Sequence, residues 1–310
     1  MESSVNFKRV AFTLIELLVV IAIIGILSGL IVVSMGGVTE KATIAKAQVF
    51  SNSLKNSLLL NLVSEWRLDE NTGTTTADSW SGGNTGTLSG PTHLPVWKTG
   101  NDCVNGSCVQ FDGVDDYISF GSNSNLSMGL GDATVSFWVK FDNAVPSATE
   151  GLLSCGGGGT AAGYRFQRLA GTSSQLWCGF TDGTVSYISA YLSATGSLTS
   201  NNWYNIVVVF DRDSVAQAYI NGTKQTGYSL NISGLQGSIT NYFNYVIGSY
   251  TGASYHLAGK MDEIRVYNAA VSISQIRHRY YIGLNSLLAN GSISLKEYKE
   301  RIEGIAISNN

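Results

Sequence analysis

Three kinds of residue in this 310-residue chain have types and spacings that suit chemistry. The first is the carboxylate. Retaining hydrolysis of a glycosidic bond needs two carboxyls about 5–5.5 Å apart, which on a strand means acids two or four residues apart on one face. The acidic pair that comes nearest to this is Asp211 and Asp213, and it follows the apolar run Val207–Phe210 where a turn is expected. Asp112, Asp115 and Asp116 share one phrase that also reads as a hairpin with exposed acids. No GxSxG, phosphate loop or HExxH helix occurs, so the chain is not expected to be an enzyme. The second kind is cysteine. In Cys103-Val104-Asn105-Gly106-Ser107-Cys108 the Asn-Gly pair is a strong hairpin turn signal, and a two-residue turn there sets Val104 against Ser107 and Cys103 against Cys108. That spacing suits a disulfide. Cys155 and Cys178 are then left to pair with each other, the alternative being two buried thiols. His93, His256 and His278 lie far from any CxxC-like spacing, so zinc is not expected. The third is Glu16, the single charge in the apolar run Phe12–Val38. Such a run is long enough to cross a bilayer as a helix, and a carboxylate inside it costs on the order of 2.5–3.5 kcal/mol unless it has a partner.

These groups need elements to hold them. Lys8 and Arg9 precede the apolar run, and the positive-inside rule keeps that end cytoplasmic with the bulk of the chain outward. Past Gly36-Gly37, Val38, Ala42, Ala45 and Val49, then Phe50, Leu54, Leu58 and Leu62, recur at helical spacing with Lys41, Lys46, Asn52 and Lys55 between them, which predicts an amphipathic stalk. From Glu65 the text changes to short β-like runs divided by Gly, Asn, Ser and Asp. The clearest are Thr134–Phe141, Trp203–Phe210, Ala216–Ile220 with an Asn221-Gly222 turn, and Met261–Tyr267. Alternation puts Val135, Phe137, Val139 and Phe141 on one face and Ser136, Trp138 and Lys140 on the other. Many short strands without intervening helices predict an antiparallel sandwich. After Ser272 the pattern is helical again, with Ser294 and Glu297 spaced as a capping box.

Composition narrows the partners. The net charge is −3, and Lys and Arg are scattered, so there is no basic stripe for a nucleic acid. Charged residues make up only 13%, which suits an extracellular β-rich surface better than a helical cytosolic enzyme. Tyr187, Tyr191, Tyr228, Tyr242, Tyr245, Tyr250 and Tyr255 stand in or beside polar loops, where rings can stack on sugars or meet a protein; each also suits a half-buried sheet position.

Two resemblances follow from these phrases. Lys8-Arg9-Val10-Ala11 followed by Phe12-Thr13-Leu14-Ile15-Glu16 resembles the N-terminus of type IV prepilins and type II secretion pseudopilins. The resemblance implies cleavage by a prepilin peptidase between Ala11 and Phe12, methylation of Phe12, and Glu16 as the assembly carboxylate pairing with a neighbouring subunit's new ammonium. The family prefers Gly where this chain has Ala11, which implies slower processing. Trp66-Arg67-Leu68-Asp69-Glu70, Asp78-Ser79-Trp80 leading to Gly86-Thr87-Leu88, Phe111-Asp112-Gly113, Trp203-Tyr204-Asn205, Tyr219-Ile220-Asn221-Gly222 and Met261-Asp262-Glu263-Ile264-Arg265-Val266-Tyr267 resemble, in order, the laminin G-like, concanavalin A-like lectin/glucanase family. That resemblance implies a structural Ca2+ on Asp78, Asn84 and Asp262, with carbonyls near Gly82 and Gly113 as helpers. The ExDxxE phrase of its glucanase branch is absent.

The combined expectation is a mainly β fold with a long N-terminal α-helix. A leader over 1–11 precedes a transmembrane and stalk helix over 12–63. An antiparallel jelly-roll β-sandwich over 64–282 follows, and a C-terminal helical tail over 283–310 ends the chain. The expected function is a minor type IV pilin-like surface protein that displays the sandwich for adhesion or for glycan or protein binding. The alternatives are a pseudopilin of a type II secretion-like machine and a membrane-anchored glycan-active enzyme. Expected partners are other pilin subunits through the N-terminal helix, the prepilin peptidase and a surface glycan or protein ligand. The expected location is the inner membrane, single-pass, and then a cell-surface filament or the extracellular space.

Overall fold

The computed structural model describes residues 18–19, 21–22, 45–46, 48–54, 56–80, 83–90, 92–122, 126–156, 162–171, 174–184, 187–239 and 244–307. Ala11, Phe12, Glu16 and nearly all of the apolar run lie outside them. The chain divides into two compact units, Met1–Ser53 and Leu54–Asn310. In the first, the described residues are helical, but no long N-terminal helix is evident among them. No helix among the described residues is long and apolar enough to cross a membrane.

The second unit is the antiparallel sandwich expected from the alternating runs. Sheet A takes the order β14 (Thr223–Asn231), β13 (Val215–Ile220), β12 (Trp203–Phe210), β7 (Ala133–Phe141), β16 (Ala258–Tyr267), β5 (Ser107–Asp112) and β4 (Val96–Thr99), with β1 (Leu62–Trp66) also on β16. Sheet B takes the order β11 (Ile188–Tyr191), β10 (Leu176–Thr181), β9 (Gly163–Arg168), β8 (Glu150–Cys155), β15 (Tyr245–Ile247), β6 (Tyr117–Ser119), β3 (Gly86–Ser89) and β2 (Thr75–Thr76). The inner faces of both sheets share one core. Val135, Phe137, Val139 and Phe141 of β7 enter it, as do Tyr204, Ile206, Val208 and Phe210 of β12 and Tyr164, Phe166, Cys178 and Phe180 of sheet B.

The outer face of sheet A is covered as well, which is why β12 is buried at every position. Strands buried on both faces read as continuous apolar runs, and Trp203–Phe210 does. Two helices, α1 (Ile273–Ala289) and α2 (Leu295–Ile307), lie over Trp138 and Trp203 with Tyr280, Leu284, Leu287, Ile293 and Ile305. The Tyr280 ring stacks on Trp138 with centroids 5.6 Å apart, and a Cβ at Gly283 would overlap the same indole. Leu58, Leu62, Val271 and Ile276 cover Val207 and Val209 beside them. Helix α1 starts at a full capping box, in which Ser272 Oγ accepts from Gln275 N and Gln275 Oε1 accepts from Ser272 N. Ser294 caps α2, but Glu297 bonds Arg301 one turn on, so the expected second box is only half formed. Since α1 runs unbroken across residues 282 and 283, the expected boundary there falls inside a packed helix, and the tail is part of the sandwich's cover.

The cysteines divide. Cys103 and Cys108 are bonded, with Cα atoms 5.4 Å apart. The two-residue hairpin expected around them does not form: β5 pairs Ser107 with Thr99, and a short 3-10 turn, Gly100–Asp102, opens the longer β4–β5 connection just before the disulfide loop. The expected Cys155–Cys178 bond is corrected to two buried thiols. Cys155 lies opposite Tyr164 and Cys178 opposite Phe166, so strand β9 stands between them. Two strand spacings of about 4.8 Å exceed the reach of a disulfide. Burial pushes both thiols well up from their ordinary range, as suits inert core side chains.

The covering helices give a test of whether the tail is structural. Leu284 is fully buried between α1 and sheet A, so Leu284→Ala is expected to lower unfolding free energy by about 2–5 kcal/mol in urea titration. A solvated appendage would leave the midpoint unmoved.

Candidate functional site

Among the described residues, a cation and several aromatic rings meet on the outer face of sheet B. Strand β9 alternates: Tyr164 and Phe166 enter the core, and Arg165 between them points outward. Register places Ser154, Arg165, Gly179 and Ser189 in one row across β8, β9, β10 and β11. Gln167, Trp177 and Tyr191 form the next row. The Arg165 guanidinium carbon lies 4.5 Å from the Tyr250 ring centre, 4.7 Å from Tyr187 and 5.0 Å from Trp177. Tyr255 extends the wall, its ring 6.0 Å from that of Tyr250.

Local chain geometry sets each ring. The 249–255 loop folds back over β8 because Ser154 Oγ donates to Ser249 O and accepts from Thr251 N at 3.2 Å, and Gly151 N donates to Tyr255 O. Tyr187 lies directly over Gly179, where any Cβ would collide with the phenol oxygen, so a bare position on β10 is what admits the ring. Burial pushes the Tyr187 hydroxyl up from its ordinary range, against the pull of Arg165, and keeps it neutral. Each cation–π contact is worth about 0.5–2 kcal/mol depending on desolvation. Tyr191 and Tyr255 remain 50% and 45% exposed, which leaves ring area free beside the guanidinium.

Sequence reasoning named four of these rings among seven tyrosines and missed Arg165 and Trp177. Tyr245 is in the core, Tyr228 is half-buried on β14, and Tyr242 lies outside the described residues. The missing signal is long-range: residues 165, 177, 187 and 250 meet only through strand order.

The residues expected to hold calcium are arranged differently. Asp78 Oδ1 accepts from Glu65 N at 3.1 Å and Trp80 N at 3.0 Å, and its Oδ2 accepts from Asn84 Nδ2 at 3.2 Å. Asn84 also donates to Ser64 Oγ, and its carbonyl accepts from Trp66 Nε1 at 2.6 Å. Asp262 Oδ2 accepts from Val104 N at 2.8 Å and Asn105 N at 3.1 Å, which anchors the disulfide loop. Calcium requires six to eight oxygens turned toward one point, whereas Asp78 here faces N–H donors. As arranged, the three residues do not fit a calcium cage. Asp112, Asp115 and Asp116 accept backbone N–H groups of Val114, Thr92 and Asp112; of the three expected exposed acids only Asp112 is exposed, and Asp116 is buried. Asp211 closes a turn, its carbonyl accepting from Ser214 N, so it offers no strand-borne pair with Asp213.

A buried charge network supports the sandwich next to Asp78. Arg265 on β16 donates from Nε to Glu65 Oε1 at 2.7 Å and from a terminal amino group to Glu263, while Arg67 holds the other oxygen of Glu65. Burial would raise the Glu65 carboxyl, but Arg265, Arg67 and the Ser79 hydroxyl hold it down at about 2.

Residues 112–277 match the family described as the concanavalin A-like lectin/glucanases superfamily. The chain belongs to that superfamily. Among solved structures, this superfamily member is similar to the binding domain of Paraclostridial Mosquitocidal Protein 1, with a TM-score of 0.58, 17% identity and coverage of 74% of this chain and 53% of that one. It is also similar to the botulinum neurotoxin serotype D binding domain, with a TM-score of 0.56, 14% identity and coverage of 74% and 53%. A third similar structure is the serotype D ligand binding domain in complex with N-acetylneuraminic acid, with a TM-score of 0.53, 14% identity and coverage of 74% and 53%. The chain thus spans about half the length of each, and the likeness establishes the fold. No curated protein sequence matches the chain.

Two outcomes follow from this geometry. Gly179→Ala displaces the Tyr187 phenol, so near-ultraviolet circular dichroism of the Trp177–Tyr187 pair is expected to collapse while the unfolding free energy from urea titration falls by about 0.5–2 kcal/mol at most. An unchanged aromatic signal would show that the ring is not held there. The Glu65 carboxyl titrates near 4.5 when free and at about 2 when folded, so the stability it contributes is complete above pH 4.5 and is lost as pH falls toward 2. Glu65→Gln is expected to destabilise the protein at pH 7 and to flatten the fall in midpoint between pH 5 and pH 2, read by urea titration along pH.

Proposed function

We propose that this protein is a surface-display adhesin whose sandwich binds glycans on the outer face of sheet B, carried by a pilin-like N-terminal helix. The observation that supports the binding half is the Arg165 cluster: half-buried rings around a cation, with the exposed Tyr191 and Tyr255 beside them, on the outer side of sheet B. Exposed aromatic area beside a hydrogen-bond donor is what a sugar needs, since its C–H face stacks and its oxygens accept. About half of the neurotoxin domain crystallised with N-acetylneuraminic acid shares this fold, which supports saccharide as the ligand class by fold analogy alone. Catalysis gains no support, because Asp211 lies in a turn and Arg165 has no carboxylate partner among the described residues.

The display half rests on the sequence phrase around Ala11, Phe12 and Glu16. In this reading the helix is held in the inner membrane until the peptidase cuts before Phe12, and Glu16 then steers the subunit into a filament. A pilus tip or a secretion pseudopilus would both use the same helix.

One set of preparations tests both halves. Mass spectrometry of fibres sheared from the cell surface is expected to find a methylated peptide that begins at Phe12; only an uncut Met1 form in the membrane would remove the filament role. The detergent-solubilised full chain is expected to bind immobilised oligosaccharides, with Trp177→Ala weakening binding roughly tenfold. Binding unaffected by that change would move the site off sheet B.

A further inference from the structure

We infer that the Arg165 cluster selects acidic sugars, holding the sugar's carboxylate on the guanidinium while its ring stacks on the flanking aromatics. This rests on the reading that the outer face of sheet B binds glycans, and adds the ligand's charge and the group that reads it. Other described guanidiniums are answered inside the fold, Arg279 excepted, whose Nε is likewise buried without a hydrogen-bond partner. Arg168 bonds Glu150 at 2.9 Å and the carbonyls of Asn143 and Ala144; Arg265 bonds Glu65 and Glu263; Arg301 bonds Glu297; Arg212 caps the carbonyls of Leu235 and Gly237. Arg165 takes part in no ion pair among the described residues. Its Nε is buried without a hydrogen-bond partner. With that nitrogen enclosed by rings, the terminal amino groups are the part left to meet an acceptor.

The walls decide what kind of acceptor fits. Trp177, Tyr187 and Tyr250 present π faces, which attract the cation without supplying an anion, so the guanidinium is partly desolvated and has no carboxylate partner among the described residues. A carboxylate is planar and acceptor-only, and it meets a guanidinium through two parallel N–H···O bonds. The flanking rings of Tyr191 and Tyr255 add flat apolar area on either side. A sugar acid brings both halves of this complement on one small body: a charged carboxylate and an apolar ring face. An acidic peptide would more naturally pair with a free strand edge, whereas Arg165 sits on β9, inside the sheet, with β8 and β10 on either side.

The test uses the detergent-solubilised full chain and four probes: sialyllactose, lactose, 3′-sulfolactose and a polyglutamate peptide. Sialyllactose is expected to bind at least about tenfold more tightly than lactose, with the difference shrinking as salt is raised. Arg165→Gln is expected to erase that difference and leave weak lactose binding, and Arg165→Lys to restore only part of it; equal urea midpoints for all three proteins exclude misfolding. Lactose bound as tightly as sialyllactose overturns the charge selection and leaves the glycan reading standing. Sulfolactose preferred over sialyllactose overturns the carboxylate, and polyglutamate that displaces sialyllactose at equal charge overturns the sugar. No binding to any saccharide removes the glycan reading and this inference with it.

Discussion

Strand β16 serves two partners on one edge because a single residue, Glu263, is folded out of the ladder. Ala258–Met261 pair with β5 and Ile264–Tyr267 pair with β1, while β7 runs along the other edge throughout. The register against β7 slips by one residue between Asp262 and Arg265, and Glu263 sits at a φ of 52°, a left-handed conformation that costs a non-glycine residue about 1–3 kcal/mol. The bulge is kept because its side chains are used. It turns the Glu263 carboxylate onto Arg265, which also holds Glu65 of β1 from 200 residues away. It leaves Asp262 facing the disulfide loop, where the carboxylate accepts two backbone N–H groups. One strand thereby fastens the first strand of the sandwich, the loop closed by Cys103–Cys108 and the central ladder of sheet A.

That loop in turn carries the helical cover. The side chain of Asn290 donates to the carbonyls of Cys103 and Val104, and Ser292 donates to Asn101, so the turn between α1 and α2 is clasped to it. Below the clasp, Trp138 and Trp203 are sealed under Tyr280 and Leu284. The sandwich is therefore asymmetric. Sheet A has lost its outer face to helices, the disulfide loop and the Leu58–Leu62 corner, whereas on sheet B the 249–255 loop lies over β8 and leaves Arg165, Trp177 and Tyr191 partly exposed on β9 to β11. A binding site has to be where the backbone is rigid and the side chains are reachable, and Arg165, Trp177 and Tyr191 on β9 to β11 meet both conditions.

Local pattern made much of this legible in the sequence, and nonlocal pairing hid the rest. Alternation in Thr134–Phe141 assigned both faces of β7, since period two is a property of the strand itself. The Asn221-Gly222 turn between β13 and β14 and the short acidic turn at Asp112–Asp116 were readable for the same reason. The helical character of the chain after Ser272 is legible in its pattern, whereas the boundary expected at 282/283 is not, because Gly283 lies inside α1 and lets it approach Trp138. Cys155 and Cys178 were paired by counting, and strand order separates them. Asp78, Asn84 and Asp262 were grouped by resemblance, whereas the chain uses their oxygens to hold its own N–H groups. The prepilin-like stretch lies outside the described residues, so its reading stands on its residues alone.

The Arg165 cluster was invisible in sequence for a physical reason that also bears on its use. Nothing in the text from 160 to 190 marks Arg165 as different from Arg168, three residues on. What separates them is the sheet: Arg168 turns toward Glu150 and the Phe141 ring and is fully buried and paired, while Arg165 turns outward among rings and is not. A stabilising role would be met by an acid in the row, and that row offers serine on β8, glycine on β10 and serine on β11. Among the described residues the fold therefore spends no internal anion on this cation and encloses it with aromatic rings that attract it. A partly desolvated guanidinium left in that state gains most from an anion that arrives from outside, which is the condition a binding site has to satisfy before any ligand is named.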